Sequence, residues 1–398
     1  MTPSPPSPAS LNKIIIDASA LQANFRILQQ RVGPDIRVMA MIKADAYGHG
    51  MIQTARIFSR AGCGSFAVTK IQEGMELRRA GITGQIFILL GFQASEEQLF
   101  FDYDLTPVIF DYQAMELLSQ AAVRQNKKMA VHLKVDCGMG RLGFMPTELP
   151  EFMARLEDFP GITLAGIMSH FPLADDPTSP CTMEMYQRFQ KACNLPDQPN
   201  LALCHIANSG AALYFPETCN DMVRLGISLY GYYPDGATGR EDDRGERLLP
   251  AMSFTTQVIQ VKSMPVGTGI SYGHSFITDR ETRIAVLPVG YANGYLRALS
   301  NKAQVLIKGQ RAKIVGRICM NLCMADVTDS PGVEPGEPVV LLGSQGAEAI
   351  TADEIAGWMG TISYEVLCLF GNSNERHYSE NILKKLSRHD TGTIKTNP

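Results

Sequence analysis

The stretch VMAMIKADAYGHGMIQTARIFSRAG, Val38–Gly62, reads as a strand, a glycine-containing turn and a helix. VMAMI is apolar on both faces, the pattern of a strand covered on both sides in a parallel sheet. From Met51 the apolar residues recur at helical spacing, and Gly62 suits the residue that ends a helix. The alternation continues to about residue 230. Further β-type runs are SFAV from Ser65, IFILL from Ile86, LTPVI from Leu105, AVHLKV from Ala130, LAGIMS from Leu164, LALCHIA from Leu201 and MVRLGI from Met222. Helical segments lie between them, such as IQEGMELRRAG from Ile71 and YQAMELLSQAAVRQN from Tyr112. Eight strand–helix units in about 200 residues predict an α/β chain with a (β/α)8 TIM-type barrel.

Beyond Pro250 the texture changes to period-2 runs divided by Gly and Pro turns: SFTTQVIQVKSMPVG, TRIAVLPVG, KAQVLIKGQRAKIVGRICM and EPVVLLGS. A C-terminal all-β domain follows, with little helix except around Thr351 to Met359. The polar, glycine-rich stretch from Gly231 to Pro250 holds the boundary. The expected organisation is a disordered Pro/Ser-rich tail at 1–11, the barrel at 12–244, the β domain at 245–388 and a tail at 389–398.

With 398 residues, two domains of ordinary size are expected. The 36 Lys+Arg against 40 Asp+Glu give a net charge of −4, without the basic footprint of a nucleic-acid binder. No apolar run approaches the roughly 20 residues needed to span a bilayer, and MTPSPPSPAS has neither the charged nor the apolar region of a secretory signal. The nine cysteines are an odd count without CxxC pairing, which predicts free thiols in a reducing cytoplasm and no metal site.

In AVHLKVD the residues His132, Lys134 and Asp136 share one face, which must point into the barrel because the other face seats helices. Lys43 follows the first strand. Alone it reads either as a solvated lysine before a glycine-containing loop or, near apolar methionines, as an amine of lowered pKa suited to Schiff-base chemistry. Lys134 reads either as a barrel lysine paired with Asp136 or as a site residue. His170, closing GIMSH, reads as a satisfied interior histidine or a site residue, and Tyr272 as a strand-end aromatic or a base.

The segment MIKADAYGHG closely resembles the pyridoxal-phosphate lysine motif of the alanine racemases, fold-type III pyridoxal-phosphate enzymes. The resemblance runs from about Lys13 to Tyr378 through motifs in the family's order. It implies that Lys43 binds the cofactor covalently and acts as one catalytic base, with Tyr272 of GISYGHSF as the other. KVDCGMGRL supplies Lys134, a lysine often carboxylated in the family, and Arg141 on the substrate side. HIANSG and RLGISLYG supply Asn208, Ser209, Arg224, Gly226 and Ile227. Ser209, Gly226 and Ile227 are implied phosphate contacts together with Tyr47 and Tyr364, and Arg224 meets the pyridine nitrogen. His170 hydrogen-bonded to Arg224 would polarise Tyr272.

In the family Tyr272 and Met320 reach the barrel mouth of the partner, so a homodimer with shared sites is implied, acting on L- and D-alanine without nucleic-acid or membrane partners. The implied role is cytoplasmic supply of D-alanine for cell-wall peptidoglycan. A racemase of serine or of a broader set of amino acids remains open, as do a non-catalytic pyridoxal-phosphate carrier and a decarboxylase on the same barrel. Two departures stand out. Asn321 replaces an aspartate usual after Met320, and Ser373, Asn374 and Glu375 replace an Arg-Val-Pro run before Arg376 and Tyr378.

Overall fold

The computed structural model describes residues 10–194, 203–237, 239–241 and 245–379. Apart from Ser10 and Leu11, the tails expected at 1–11 and 389–398 lie outside the described residues. The chain divides into two compact units, one of residues 21–46 and 51–249, the other of 1–20, 47–50 and 250–398.

The first unit is the expected barrel. Its strands are β1 Arg37–Met41, β2 Ser65–Val68, β3 Gln85–Ile88, β4 Thr106–Ile109, β5 Met129–Lys134, β6 Ile162–Met168, β7 Leu203–His205 and β8 Met222–Leu225. They form one eight-stranded sheet, each paired in parallel with the next from β1 to β7, and β1 pairs with β8 as well. Hydrogen bonds from Asp221 N to Cys204 O and from Arg224 N to Ala207 O draw β8 to β7. Every residue of β2 is buried, as a strand covered on both faces requires.

The helices at Met51–Arg60, Ile71–Arg79 and Tyr112–Arg124 match the sequence periodicity. In the first, Met51, Thr54, Ala55, Ile57 and Phe58 form the buried stripe. Phe58 is fully buried against Phe25 and Tyr230, and such a ring contributes roughly 1.5–3 kcal/mol. Gly62 and Gly81, the expected helix-ending glycines, have φ of 104° and 83°. The loop after Gly231 is fastened by Arg240, which pairs with Asp235 and stacks on Tyr214 and Tyr233.

The thiols are not all free. Cys193, ending the helix Cys181–Cys193, is joined in a disulfide to Cys204 of β7, 11 residues away. An odd total and wide spacing do not reveal that the fold brings those two together.

In the second unit the strands are built as the period-2 runs predict, but with an added strand from the N-terminus. Lys13–Ile16 pairs antiparallel with Met252–Gln257 and parallel with Arg376–Tyr378. Ile14 and Ile16 are buried and Ile15 is exposed, the alternation of a strand with one covered face. These residues therefore lie with the β-rich segment, not with the barrel to which the sequence assigned residues 12 onward. A second helix, Ser363–Ser373, follows Ala352–Met359 and carries Tyr364 in this otherwise mostly-strand domain.

After β1 the backbone turns the wrong way. Ala44, Asp45, Ala46 and Tyr47 have φ of 52°, 54°, 56° and 53°, a left-handed turn closed by Ala46 N donating to Ile42 O. For L-residues this conformation costs roughly 1–2 kcal/mol each, because Cβ crowds the following carbonyl. Surrounding contacts hold it. The Asp45 carboxylate accepts from Met51 N. Downstream, Tyr378 donates to His49 O, and Arg376 donates to Gly48 O and Gly371 O. A side chain on Gly371 would run into the Gly48 carbonyl, and one on Gly50 into the Tyr378 hydroxyl.

Ala44 is exposed, so its substitution reads the backbone cost alone. Ala44→Gly should unfold in urea at an equal or higher midpoint, a gain of up to about 1 kcal/mol, whereas Ala44→Val should lose about 1–2 kcal/mol. Equal midpoints for both variants would mean that the left-handed turn is absent.

Candidate active site

Lys43 leaves β1 half-buried at the start of the left-handed turn, and Lys134 ends β5 at 7% exposure. Lys134 has no carboxylate to itself. Asp136 directs Oδ1 to the backbone N–H groups of Gly138, Met139 and Gly140 and Oδ2 to that of Arg141. Burial works to raise this carboxyl's pKa, but those hydrogen bonds outweigh it and hold the group below the usual carboxylate range. Asp136 therefore shapes the loop that presents Arg141, in place of the Lys134 pairing that the sequence left open. Burial and the charges of Arg141, Arg224 and Lys43 lower the Lys134 pKa to about 8, against the opposing pull of Asp136.

Arg224, on β8, is 3% exposed. Its Nη1 donates to His205 O and His205 Nδ1, and its Nη2 to Ser169 O, Ile206 O and His170 Nδ1. The Arg224–His170 bond is the one expected from the sequence. A guanidinium can only donate, so each imidazole must present a lone pair to it and be neutral. Burial first, then Arg224, pushes His170 and His205 well below the ordinary histidine pKa. Arg141, Lys43 and Lys134 add to the effect at His170.

Asn208 caps the helix Ser209–Tyr214 by accepting from Ala211 N, and its amide donates to Phe171 O. Ser209 Oγ accepts from Gly226 N at 2.9 Å, placing Ser209 beside Gly226 and Ile227. The barrel thus brings together Lys43, Lys134, Arg141, His170, Asn208, Ser209, Arg224, Gly226 and Ile227.

The remaining predicted residues belong to the second unit. Tyr47 and Tyr364 lie with ring centroids 6.0 Å apart, and burial, then Tyr364 and Cys368, raise the Tyr47 pKa. Tyr272 occupies a turn rather than a strand end, between strands Gly269–Ile270 and Phe276–Ile277, and is 66% exposed. Ser271 beside it donates to Arg317 O and touches Cys319 Sγ, so the turn adjoins the loop of Met320, which is 56% exposed. Asn321 is also exposed.

The sequence reading missed His205. Its segment was quoted for Asn208 and Ser209, and a single histidine within an apolar strand run carries little signal. Its position two residues before Ala207, with Arg224 two strand residues into MVRL, was the available clue.

The barrel set holds four cations, Lys43, Lys134, Arg141 and Arg224, and its one carboxylate is engaged by backbone amides. Such a set suits a ligand bearing more than one negative charge. The N-terminal domain model of the alanine racemases matches residues 16–234, and the C-terminal domain model matches 251–378. The alanine racemase of Halothermothrix orenii is 39% identical over 369 residues, covering 92% of this chain and 96% of that protein. The crystal structure of alanine racemase from E. faecalis matches with a TM-score of 0.86 at 33% identity, over 92% of this chain and 98% of that one. That of alanine racemase from Bartonella henselae with covalently bound pyridoxal phosphate matches with a TM-score of 0.84 at 29% identity, over 94% and 100%. The barrel, its buried cations and both domain matches converge: this chain belongs to the alanine racemase family.

Proposed function

We propose that the chain interconverts L- and D-alanine with pyridoxal phosphate, moving the Cα proton between Lys43 on one face and Tyr272 on the other. The observation that carries this reading is the cluster of Lys43, Lys134, Arg141, His170 and Arg224 at the strand ends of one barrel, a set of cations and neutral imidazoles. Pyridoxal phosphate fits its chemistry: an amine for covalent attachment, backbone N–H groups around Ser209, Gly226 and Ile227 for a dianion, and a buried donor in Arg224. His170, Asn208, Tyr47 and Tyr364 complete the proposed binding set. When bound, the cofactor supplies an electron sink that acidifies the substrate Cα–H.

Lys43 holds the cofactor and, as a neutral amine, takes or returns the proton on the D-side. Tyr272 does so on the L-side. A phenolate serves as a base only when a hydrogen-bond donor stabilises it, so Tyr272 needs one. His170, whose Nδ1 accepts from Arg224, carries its proton on Nε2 and can donate to that phenolate. Arg224 does not surrender a proton at ordinary pH, so at the pyridine nitrogen it would donate a hydrogen bond without protonating it. Arg141 and the Met320 backbone receive the substrate carboxylate.

In this reading Tyr272 of one subunit serves the barrel of the other in a head-to-tail homodimer. Support comes from the exposure of Tyr272, Met320 and, nearby in sequence, Val266 and Ile277, an apolar set that burial against a second copy would stabilise. The protein works in the cytoplasm and supplies D-alanine to peptidoglycan. Among the described residues no helix is long and apolar enough to cross a membrane.

Chiral chromatography should show L-alanine converted to an equal mixture of enantiomers, faster than serine, lysine or arginine, and failure with alanine would remove the proposal. Borohydride should fix the cofactor to the peptide containing Lys43. Mixing inactive Lys43→Ala with inactive Tyr272→Phe should recover up to about a quarter of wild-type activity, since half the dimers then hold one intact site. Persistent inactivity after demonstrated subunit exchange would exclude a shared site.

Lys134 is placed to be carboxylated. Its neutral amine attacks carbon dioxide, forming a carbamate and releasing a proton, and the product anion faces Arg141 in place of a fourth cation. With the amine half neutral at about pH 8, carbamate formation should slow roughly tenfold for each unit below that. Protein in 13C-bicarbonate should show a carbamate resonance that Lys134→Arg lacks, and an identical resonance in the variant would place the modification elsewhere.

A further inference from the structure

We propose that His132 is a positioning residue for the racemisation, holding His205 in the one tautomer and orientation that can receive Arg224. The proposal rests on the role given above to Arg224. His132 lies on β5 and is fully buried, yet the proposed reaction gives it nothing to touch. Its Nδ1 is 2.9 Å from His205 Nε2 on β7.

Those strands are not neighbours, since β6 runs between them. The bond is possible because His132 aligns with Gly166 on β6, where a Cβ would stand 2.6 Å from the imidazole of His132 and 2.5 Å from the backbone carbonyl of Leu203 on β7. A residue without a side chain opens the path from β5 to β7. Gly166 does not have the positive φ that demands glycine, so the space above it accounts for its identity.

The direction of each hydrogen bond follows from Arg224. Its Nη1 can only donate, so His205 Nδ1 accepts and the His205 proton resides on Nε2. That Nε2–H donates to His132 Nδ1, which leaves the His132 proton on Nε2. His132 Nε2 has no nitrogen or oxygen partner among the described residues, and the ring lies edge-to-face with Phe87 at 4.9 Å between centroids. A second proton on His132 would set two N–H groups against each other and break the chain. Burial, then the charge of Arg224, keeps His132 neutral down to about pH 4. Arg224 and His132 thus select the same His205 tautomer from its two sides, and without His132 the His205 Nε2–H would be buried and unpaired, so that the tautomer unable to receive Arg224 becomes populated.

The test compares His132→Leu, which deletes the acceptor, with His132→Gln, whose side-chain oxygen can take its place. Side-chain 15N spectra of the protein before cofactor is added should show His205 as a single Nε2–H tautomer in wild type and His132→Gln. In His132→Leu the two tautomers should mix. With cofactor bound, His132→Leu should lose roughly tenfold in kcat with little change in KM for alanine, and His132→Gln should recover most of it. The share of turnovers ending in pyruvate should rise in His132→Leu and return in His132→Gln, a partition that a purely structural defect would not move.

An unchanged His205 spectrum in a folded His132→Leu overturns the proposal, and so does an altered spectrum with unchanged kcat and product ratio. If His132→Leu does not fold, His132→Phe, which fills the same space without an acceptor, replaces it, and an unaltered His205 spectrum or rate in that variant overturns the proposal equally. Wild type that fails to racemise alanine removes the catalytic role given to Arg224, while the 15N spectra still report separately on the histidine chain.

Discussion

One guanidinium governs the barrel mouth. Among the described residues Arg224 is buried without a carboxylate partner, and burying an uncompensated cation is costly unless its donors are satisfied. Three backbone carbonyls and two imidazoles meet that demand, drawn from Ser169 and His170 after β6 and from His205 and Ile206 at the end of β7. The requirement fixes those chain segments relative to β8, and it also fixes protonation, since both histidines must stay neutral. The polar geometry of this side of the barrel and its acid–base state thus have one origin.

The charge balance follows the same logic. Around Arg224 stand Lys43, Lys134 and Arg141, and Asp136 compensates little because its oxygens serve the Gly138–Arg141 backbone. Like charges in a partly desolvated site lower the proton affinity of whichever group can release a proton. Arginine does not, so the burden falls on the lysines, as the lowered pKa of Lys134 shows. The left-handed turn after Lys43 adds a conformational cost to the electrostatic one. Both kinds of strain gather where the chain is proposed to do chemistry, a distribution typical of functional sites.

Much of this was legible in the sequence because barrel strands are local patterns. VMAMI, AVHLKV and MVRLGI are β-type runs bounded by turns, and they or the motifs at their ends carry Lys43, Lys134 and Arg224. What escaped was set by long-range or conformational facts. KIII at Lys13 is a four-residue run whose partners lie near residues 252 and 376. SYEVLCLFGNS begins after Ile362 without a capping side chain and mixes aromatic and β-branched residues, so its helix did not announce itself. Ala44–Tyr47 would suit an ordinary helix, and nothing in Ala-Asp-Ala signals the opposite hand. The Cys193–Cys204 bond and the His132–His205 contact both depend on which elements the fold brings together.

Few groups inside the barrel can act as bases. Racemisation requires groups that can lose and regain a proton on two faces of one carbon. A guanidinium is a hydrogen-bond donor with no lone pair to offer at ordinary pH, which removes the arginines. The Nδ1 lone pairs of His170 and His205 are occupied by Arg224, and that of His132 by His205. Asp136 is fully engaged by amides and holds its carboxyl below the usual range. Lys43 and Lys134 remain, and once Lys134 is a carbamate it is an anion facing Arg141, no longer an amine. Only Lys43 is then left as a base among these residues. The second base must come from outside this barrel set, the role proposed for Tyr272, and His170 Nε2–H is the donor that the Arg224 constraint leaves available to it.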